Sequence, residues 1–171
     1  LILQSTQSGL QVYQDAFHIL TNNPPYPYHQ WNVHNYMHLT SSYPQDHLTS
    51  QSLKPYGNGF GTIGIPGDFS PASRFVKTLW LKENVMINEK EEENVSQIFH
   101  ILDAVAMVKG SVKTMQNQED YTVYSCCMSM NDGAYYYKTY ENNQIHCIQN
   151  KVSASQLSIY PLNRQQNIQY Q

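Results

Sequence analysis

The chain has few charged residues and no long hydrophobic run. Charged residues make up 13% of its 171 residues and the formal net charge is −3, which argues against a nucleic-acid-binding protein that works through a basic surface. The apolar runs are only a few residues long, which excludes a membrane-spanning helix. A hydrophobic share of 40% argues against intrinsic disorder, and the length suits one domain or part of a larger one.

Cysteine is also scarce. The three cysteines, Cys126, Cys127 and Cys147, are an odd number, which argues against a disulfide framework. Cys126 and Cys127 are adjacent and would point to opposite faces of a strand, where cysteines are typical packing residues rather than nucleophiles. Reduced thiols in a chain of this size indicate the cytoplasm.

The sequence contains no complete metal or phosphate motif. His34 and His38 are four residues apart on a predicted helix, but no glutamate lies between them, so the zinc-protease pattern is absent. The glycine-rich segment 57–67 lacks the Gly-Lys-Ser/Thr of a phosphate-binding loop. Its glycines instead predict close approach of the backbone to another surface. No metal and no cofactor is therefore predicted.

The first half of the chain predicts short strands, one helix and long loops. Hydrophobic residues on both sides of Ser5–Gly9 predict a strand, a turn and a strand. A third extended piece, His18–Thr21, ends at Asn22 and the prolines that follow. A helix is predicted from Tyr28 to Leu39, and residues 40–68 read as loops because they are rich in Ser, Pro and Gly.

The second half predicts two helices and then three strands. Ser70 and Pro71 are typical of a helix start, and a second helix follows the acidic run 89–93 and is predicted to close at Gly110. The strands are predicted over three segments separated by turn residues: Tyr121–Met128, Ala134–Tyr140 and Gln144–Ile148. An antiparallel meander beside two helices indicates an α+β fold.

Arg74 is an unusual residue for its position. It lies in the first turn of the helix after Ser70, where the helix dipole disfavours a cation by about 0.3–1 kcal/mol. On a helical wheel it shares a side with Leu81 and Val85, so it projects from an apolar surface. One interpretation is a buried ion pair or hydrogen bonds to loop carbonyls. The other is an electropositive wall that stabilises a thiolate or an anionic substrate.

Asn22 also has two interpretations. An asparagine at the end of an extended piece and before a proline is commonly a plain turn residue. Alternatively, its amide can donate a hydrogen bond to an oxyanion that develops during a reaction. The residues by themselves leave both open.

Four segments carry a pattern that is more specific than any single residue. They are 20–25 (LTNNPP), 64–75 (GIPGDFSPASRF), 97–102 (QIFHIL) and 121–127 (YTVYSCC) with 135–140 (YYYKTY). Together, in this order and spacing, they resemble the C-terminal half of the choloylglycine hydrolase family, which contains bile salt hydrolases and penicillin V acylases. The resemblance extends over nearly the whole chain.

The resemblance implies both a fold and an activity. The fold is part of the αββα sandwich of an N-terminal nucleophile hydrolase with antiparallel sheets, and residues 1–171 would be the C-terminal portion of a single domain. Family members cleave linear amides with an N-terminal cysteine, whose α-amino group is the base, through an acyl-thioester. Asn22 matches the asparagine of the oxyanion hole, and Arg74 matches the arginine beside the nucleophilic thiol.

The sequence departs from the family at its start, because residue 1 is Leu rather than Cys. We expect the nucleophile on an N-terminal segment that is missing here, and no amidase activity from these residues alone. Tyr124–Cys127 and Tyr135–Tyr140 look more like bile salt hydrolases, whereas His29-Gln30 looks more like penicillin V acylases. Conjugated bile salts are the predicted substrates.

Three further expectations follow. The resemblance implies a homo-oligomer, commonly a tetramer. The charge and the short apolar runs predict no nucleic-acid partner and no membrane partner. The alternative class is a non-catalytic binding or structural domain, in which Arg74 would be exposed or bonded to local carbonyls. In the enzyme, Asn22 and Arg74 should instead converge on one cleft.

Overall fold

The computed structural model describes residues 1–149 and 158–170. Within these ranges the chain forms three α-helices and seven β-strands, and the sheets are antiparallel. The α+β class predicted from the sequence is therefore confirmed. The chain divides into two compact units, Leu1–Val85 and Met86–Gln171. None of the described helices combines the length and apolar character that spanning a membrane requires.

The first unit opens with a β-hairpin. Strands β1 (Ile2–Thr6) and β2 (Gly9–Tyr13) pair antiparallel, which confirms the predicted strand, turn and strand. The third extended piece predicted over residues 18–21 is wrong, because these residues form no strand. His18 has a φ of 54°, in the left-handed region, and this interrupts an extended backbone.

Helix α1 starts earlier and ends sooner than predicted. It covers Tyr26–Asn32 and continues as a 3-10 helix over Val33–Tyr36. Its buried side chains are Tyr26 and His29, three residues apart on one face, whereas Trp31 is 77% exposed. The side of the helix that carries Trp31 is therefore directed to solvent.

The predicted loops of residues 40–68 are confirmed, apart from a 3-10 helix at Phe60–Thr62. The close backbone approach expected of the glycines occurs at Gly61. Its carbonyl accepts a hydrogen bond from the Thr40 N–H at 2.9 Å, and a Cβ there would lie 2.1 Å from the Thr40 oxygen. Glycine is required at this position because any side chain would overlap the backbone of residues 40–42.

Helix α2 (Pro71–Asn84) begins where the sequence predicts. The Ser70 hydroxyl accepts a hydrogen bond from the Ser73 N–H at 3.3 Å, and Pro71 occupies the first helical position. Phe75 on this helix is fully buried. Together with the buried side chains of Ile2, Ile19 and Tyr26 it forms the core of the first unit. The core therefore joins the hairpin, the segment before α1, and both helices.

The second unit contains helix α3 (Glu91–Asp103), which starts inside the predicted acidic run rather than after it, so that Glu91, Glu92 and Glu93 lie in its first turn. The helix ends at Asp103 with Ala104 as its C-cap, so the predicted end at Gly110 is wrong. A short hairpin follows, formed by β3 (Val112–Lys113) and β4 (Glu119–Asp120). The sequence did not predict this hairpin, because two-residue strands carry too little alternation to detect.

The predicted meander is confirmed as a sheet with the order β5-β6-β7. Its strands are Tyr124–Ser129, Ala134–Thr139 and His146–Gln149. Helix α3 covers one face of this sheet: Tyr136 donates to the Glu91 carboxylate at 2.9 Å, and Lys138 pairs with Asp103. On the other face, the backbone of Asn163 accepts a hydrogen bond from the Thr139 hydroxyl at 3.1 Å.

Candidate active site

Arg74 extends from the first turn of α2. Its backbone N–H donates to the Ser70 carbonyl at 3.0 Å, which begins the helical hydrogen-bonding pattern. Its guanidinium folds back over the loop before the helix, where Nε donates to the Phe69 carbonyl at 3.2 Å. This bond fixes the plane of the guanidinium and leaves its terminal nitrogens free to contact another segment.

That other segment carries Asn22. The Nη2 group of Arg74 donates to the Oδ1 atom of Asn22 at 3.2 Å, although the two residues are 52 positions apart in the sequence. Asn22 is exposed and lies in a bend, not at the end of a strand as expected. The structure thus brings the two predicted site residues together, in the same unit of the fold.

The chemistry of arginine determines which way the Asn22 amide points. A guanidinium has donors only, so Asn22 must present its oxygen to Arg74 and direct its NH₂ group away. Among the described residues this Nδ2 atom has no hydrogen-bond partner. The arrangement leaves an oriented amide donor, on an exposed loop, beside a cation.

The positive charge of Arg74 is not neutralised within residues 1–149 and 158–170, since none of the ion pairs found there includes Arg74. Asp68 is close to Arg74 in the sequence, but its carboxylate bonds to other residues. Its oxygens accept hydrogen bonds from the Ser70 N–H at 2.9 Å and from the Ser73 hydroxyl. Hydrogen bonds from Ser70 and Ser73 lower the pKa of Asp68 to about 2 and keep it ionised in this local cap.

The contacts of Arg74 agree in part with each of its two sequence interpretations. The bond to the Phe69 carbonyl is the local contact expected of a structural arginine. The bond to Asn22 is the long-range convergence expected of an enzyme. The buried ion pair is not found among the described residues.

His29 is a residue whose importance the sequence did not reveal. It is fully buried, and its Nε2 atom lies 3.0 Å from the Thr21 hydroxyl and 3.1 Å from the Pro24 carbonyl oxygen, on either side of Asn22 and Asn23. In the sequence, His29 was noted only as part of His29-Gln30, which looks more like penicillin V acylases. The spacing of Tyr26, His29 and Val33 on one helical face was a signal that could have placed it inside.

The other histidines and the cysteines considered in the sequence analysis form no hydrogen bond with Asn22 or Arg74. The His34 ring lies 5.6 Å from the Trp31 ring and is tilted by 36° to it, and the Nε2 atom of His38 lies 3.2 Å from the Ile63 carbonyl oxygen. Within the described part of the chain, no group of three or more His, Cys, Asp or Glu side chains could hold a metal ion. Cys126, Cys127 and Cys147 are free thiols on strands β5 and β7.

Comparison with known proteins identifies the family. The family model of linear amide C–N hydrolases, choloylglycine hydrolase family, matches residues 1–169. This chain belongs to the choloylglycine hydrolase family. The bile salt hydrolase/transferase of Clostridium perfringens is 36% identical to it over 174 aligned residues, which cover 99% of the chain and 53% of that protein.

Solved structures agree with this assignment. A crystal structure of a variant conjugated bile acid hydrolase from Clostridium perfringens matches with a TM-score of 0.84 and 37% identity, over 98% of this chain and 52% of that one. The penicillin V acylase of Agrobacterium tumefaciens matches with a TM-score of 0.65 and 12% identity, over 86% of this chain and 40% of that one. The fold is therefore that of the N-terminal nucleophile hydrolases, and the chain spans about half the length of the relatives it matches.

Proposed function

We propose that the protein containing this chain is an amide hydrolase that releases glycine or taurine from conjugated bile salts. The observation that carries the proposal is the hydrogen bond from Arg74 to Asn22, which leaves an amide N–H of Asn22 free to donate. Membership of a family of linear amide C–N hydrolases supports the reaction type.

In the proposed reaction, a cysteine thiolate from a segment outside residues 1–171 attacks the amide carbonyl carbon. The carbonyl π-electrons move onto oxygen, and the Nδ2–H of Asn22 donates a hydrogen bond to the resulting oxyanion. The carbonyl then re-forms and the C–N bond breaks, and the amine leaves with the proton that the α-amino group of this cysteine has taken from the thiol. Water hydrolyses the acyl-thioester to the free acid and the thiol. The role of Arg74 is to favour the thiolate over the thiol by its charge and to fix the Asn22 amide.

The choice of substrate rests on relatives. The Clostridium perfringens protein at 36% identity is named a bile salt hydrolase/transferase, whereas the penicillin V acylase at 12% identity shares the fold alone. We therefore propose conjugated bile salts rather than penicillin V. The cytoplasmic location, the homo-oligomeric state and the single-domain organisation stay predictions.

The test uses the complete polypeptide, purified and incubated separately with glycocholate, taurocholate and penicillin V. We expect release of free glycine and taurine, measured as primary amine, at a kcat/KM well above that for penicillin V. Arg74→Met and Asn22→Ala should both reduce this release while circular dichroism remains unchanged. A folded polypeptide that releases no amine from either bile salt would overturn the proposal, and faster cleavage of penicillin V would overturn the substrate assignment.

A further inference from the structure

His29 contacts the loop that carries Asn22. Its Nε2 atom is within hydrogen-bond distance of two oxygens, the Thr21 hydroxyl at 3.0 Å and the Pro24 carbonyl at 3.1 Å. These partners precede and follow the Asn22-Asn23 pair. A single imidazole nitrogen thus ties together both ends of the short segment that presents the amide.

The partners determine the proton position on the ring. A backbone carbonyl can only accept, so Nε2 must carry the hydrogen and donate it to Pro24. The Nδ1 atom is buried and has no hydrogen-bond partner in the described part of the chain. A second proton on Nδ1 would therefore have no acceptor, and burial itself lowers the pKa of His29 below its ordinary value of 6.5. The ring is a neutral donor.

The same ring contacts the helix that carries Arg74. It stacks on Phe75 with a centroid distance of 4.4 Å and an interplanar angle of 12°, and Phe75 directly follows Arg74 on α2. Phe75 is itself fully buried and packs edge-on against Tyr26 and Phe17. His29 is thus supported on a rigid part of the core while it bonds to the loop.

We propose that His29 is a positioning residue that holds the Asn22 loop at hydrogen-bond distance from Arg74. It touches both segments, by hydrogen bonds on one side and by ring stacking on the other. Its effect on catalysis rests on the proposed function, but its effect on geometry does not.

The structural test compares two substitutions of similar size. In His29→Gln the side-chain amide nitrogen can occupy the place of Nε2 and donate to Pro24, whereas His29→Met has similar length but no donor. We expect crystal structures of the complete polypeptide to keep the Arg74–Asn22 hydrogen bond in the Gln variant and to lose it in the Met variant. An intact bond in both variants would overturn the proposal.

A second measurement needs no variant. ¹⁵N NMR of the unmodified polypeptide at neutral pH should show His29 as the neutral tautomer protonated at Nε2. A ring that is protonated at Nδ1 and not at Nε2 would overturn the proposed donor, even if the Met variant failed to fold.

The kinetic test separates this proposal from the proposed function. Because a misplacement of about 1 Å can cost about 100-fold in rate, we expect His29→Met to lower kcat by about 10- to 100-fold with KM changed less than about threefold. His29→Gln should restore most of kcat. Equal kcat in the Met variant and the wild type would overturn the positioning role. A wild type that hydrolyses no bile salt would overturn the proposed function, and the two structural tests would still decide the role of His29.

Discussion

The side chains of Asn22 and Arg74 are joined by a hydrogen bond of 3.2 Å between Oδ1 and Nη2, across 52 positions of sequence. Since arginine can only donate, this bond orients the asparagine amide with its NH₂ group away from the guanidinium. One contact therefore sets both the direction of a potential oxyanion donor and its distance from a positive charge.

Removal of the Asn22 amide should affect turnover more than binding. Loss of one oxyanion donor typically lowers kcat by about 100- to 1000-fold, so Asn22→Ala should reduce kcat by that factor while KM changes little. Steady-state kinetics on glycocholate would measure this in the complete polypeptide. Asn35→Ala, at an exposed asparagine of the 3-10 helix after α1, is the control and should keep wild-type kinetics. Wild-type kcat in Asn22→Ala would contradict the oxyanion role.

The effects of Asn22 and Arg74 should not add. Residues in direct contact typically show interaction energies of about 0.5–3 kcal/mol in double-mutant cycles. The double variant Asn22→Ala, Arg74→Met should lose less kcat/KM than the two single fold losses multiplied together. The reason is that each single substitution already disrupts the shared hydrogen bond. Strictly additive losses would show that the two side chains act independently.

The stability of the protein should depend on pH through His29. Burial lowers the pKa of His29 below 6.5, so the unfolded chain binds a proton that the folded chain does not as the pH falls below that value. Neutral His29 therefore contributes fully to the free energy of unfolding above pH 6.5, and this contribution decreases as the pH falls below that value. Urea unfolding at about pH 7.5 and about pH 5.5 should show a larger loss for the wild type than for His29→Gln. An equal loss in both proteins would rule out this linkage.

Two glycines of the long loop should respond differently to alanine. A Cβ at Gly61 would lie 2.1 Å from the Thr40 oxygen and 2.5 Å from the Ser42 oxygen, both backbone atoms that cannot move cheaply. Gly61→Ala should therefore reduce the free energy of unfolding by about 1–3 kcal/mol. A Cβ at Gly67 would have no neighbouring atom within 4 Å, so Gly67→Ala is the matched control and should change stability by less than about 0.5 kcal/mol. Thermal denaturation of both variants would check this, and equal midpoints would contradict it.

Local signals predicted much of the fold. Ser70 and Pro71 predicted the start of α2, because a cap and a helical φ angle are properties of neighbouring residues. Alternation and turn residues likewise predicted β5, β6 and β7 in their order. Two features were not predicted. A turn in which the His18 N–H donates to the Asp15 carboxylate breaks the expected strand, and tertiary packing buries Tyr26 and His29 of α1 while Trp31 stays exposed.

For the candidate site too, some features follow from the sequence and others only from the tertiary structure. The sequence by itself determined which residues could do chemistry, since the amide of Asn22 and the guanidinium of Arg74 have their donors in any conformation. Only the tertiary structure decided that the two side chains meet and that His29 lies buried between their segments. The physical reason is that periodicity and capping report the few residues within a turn or strand, whereas a contact across 52 positions depends on how the hairpin, α1 and α2 pack around Phe75.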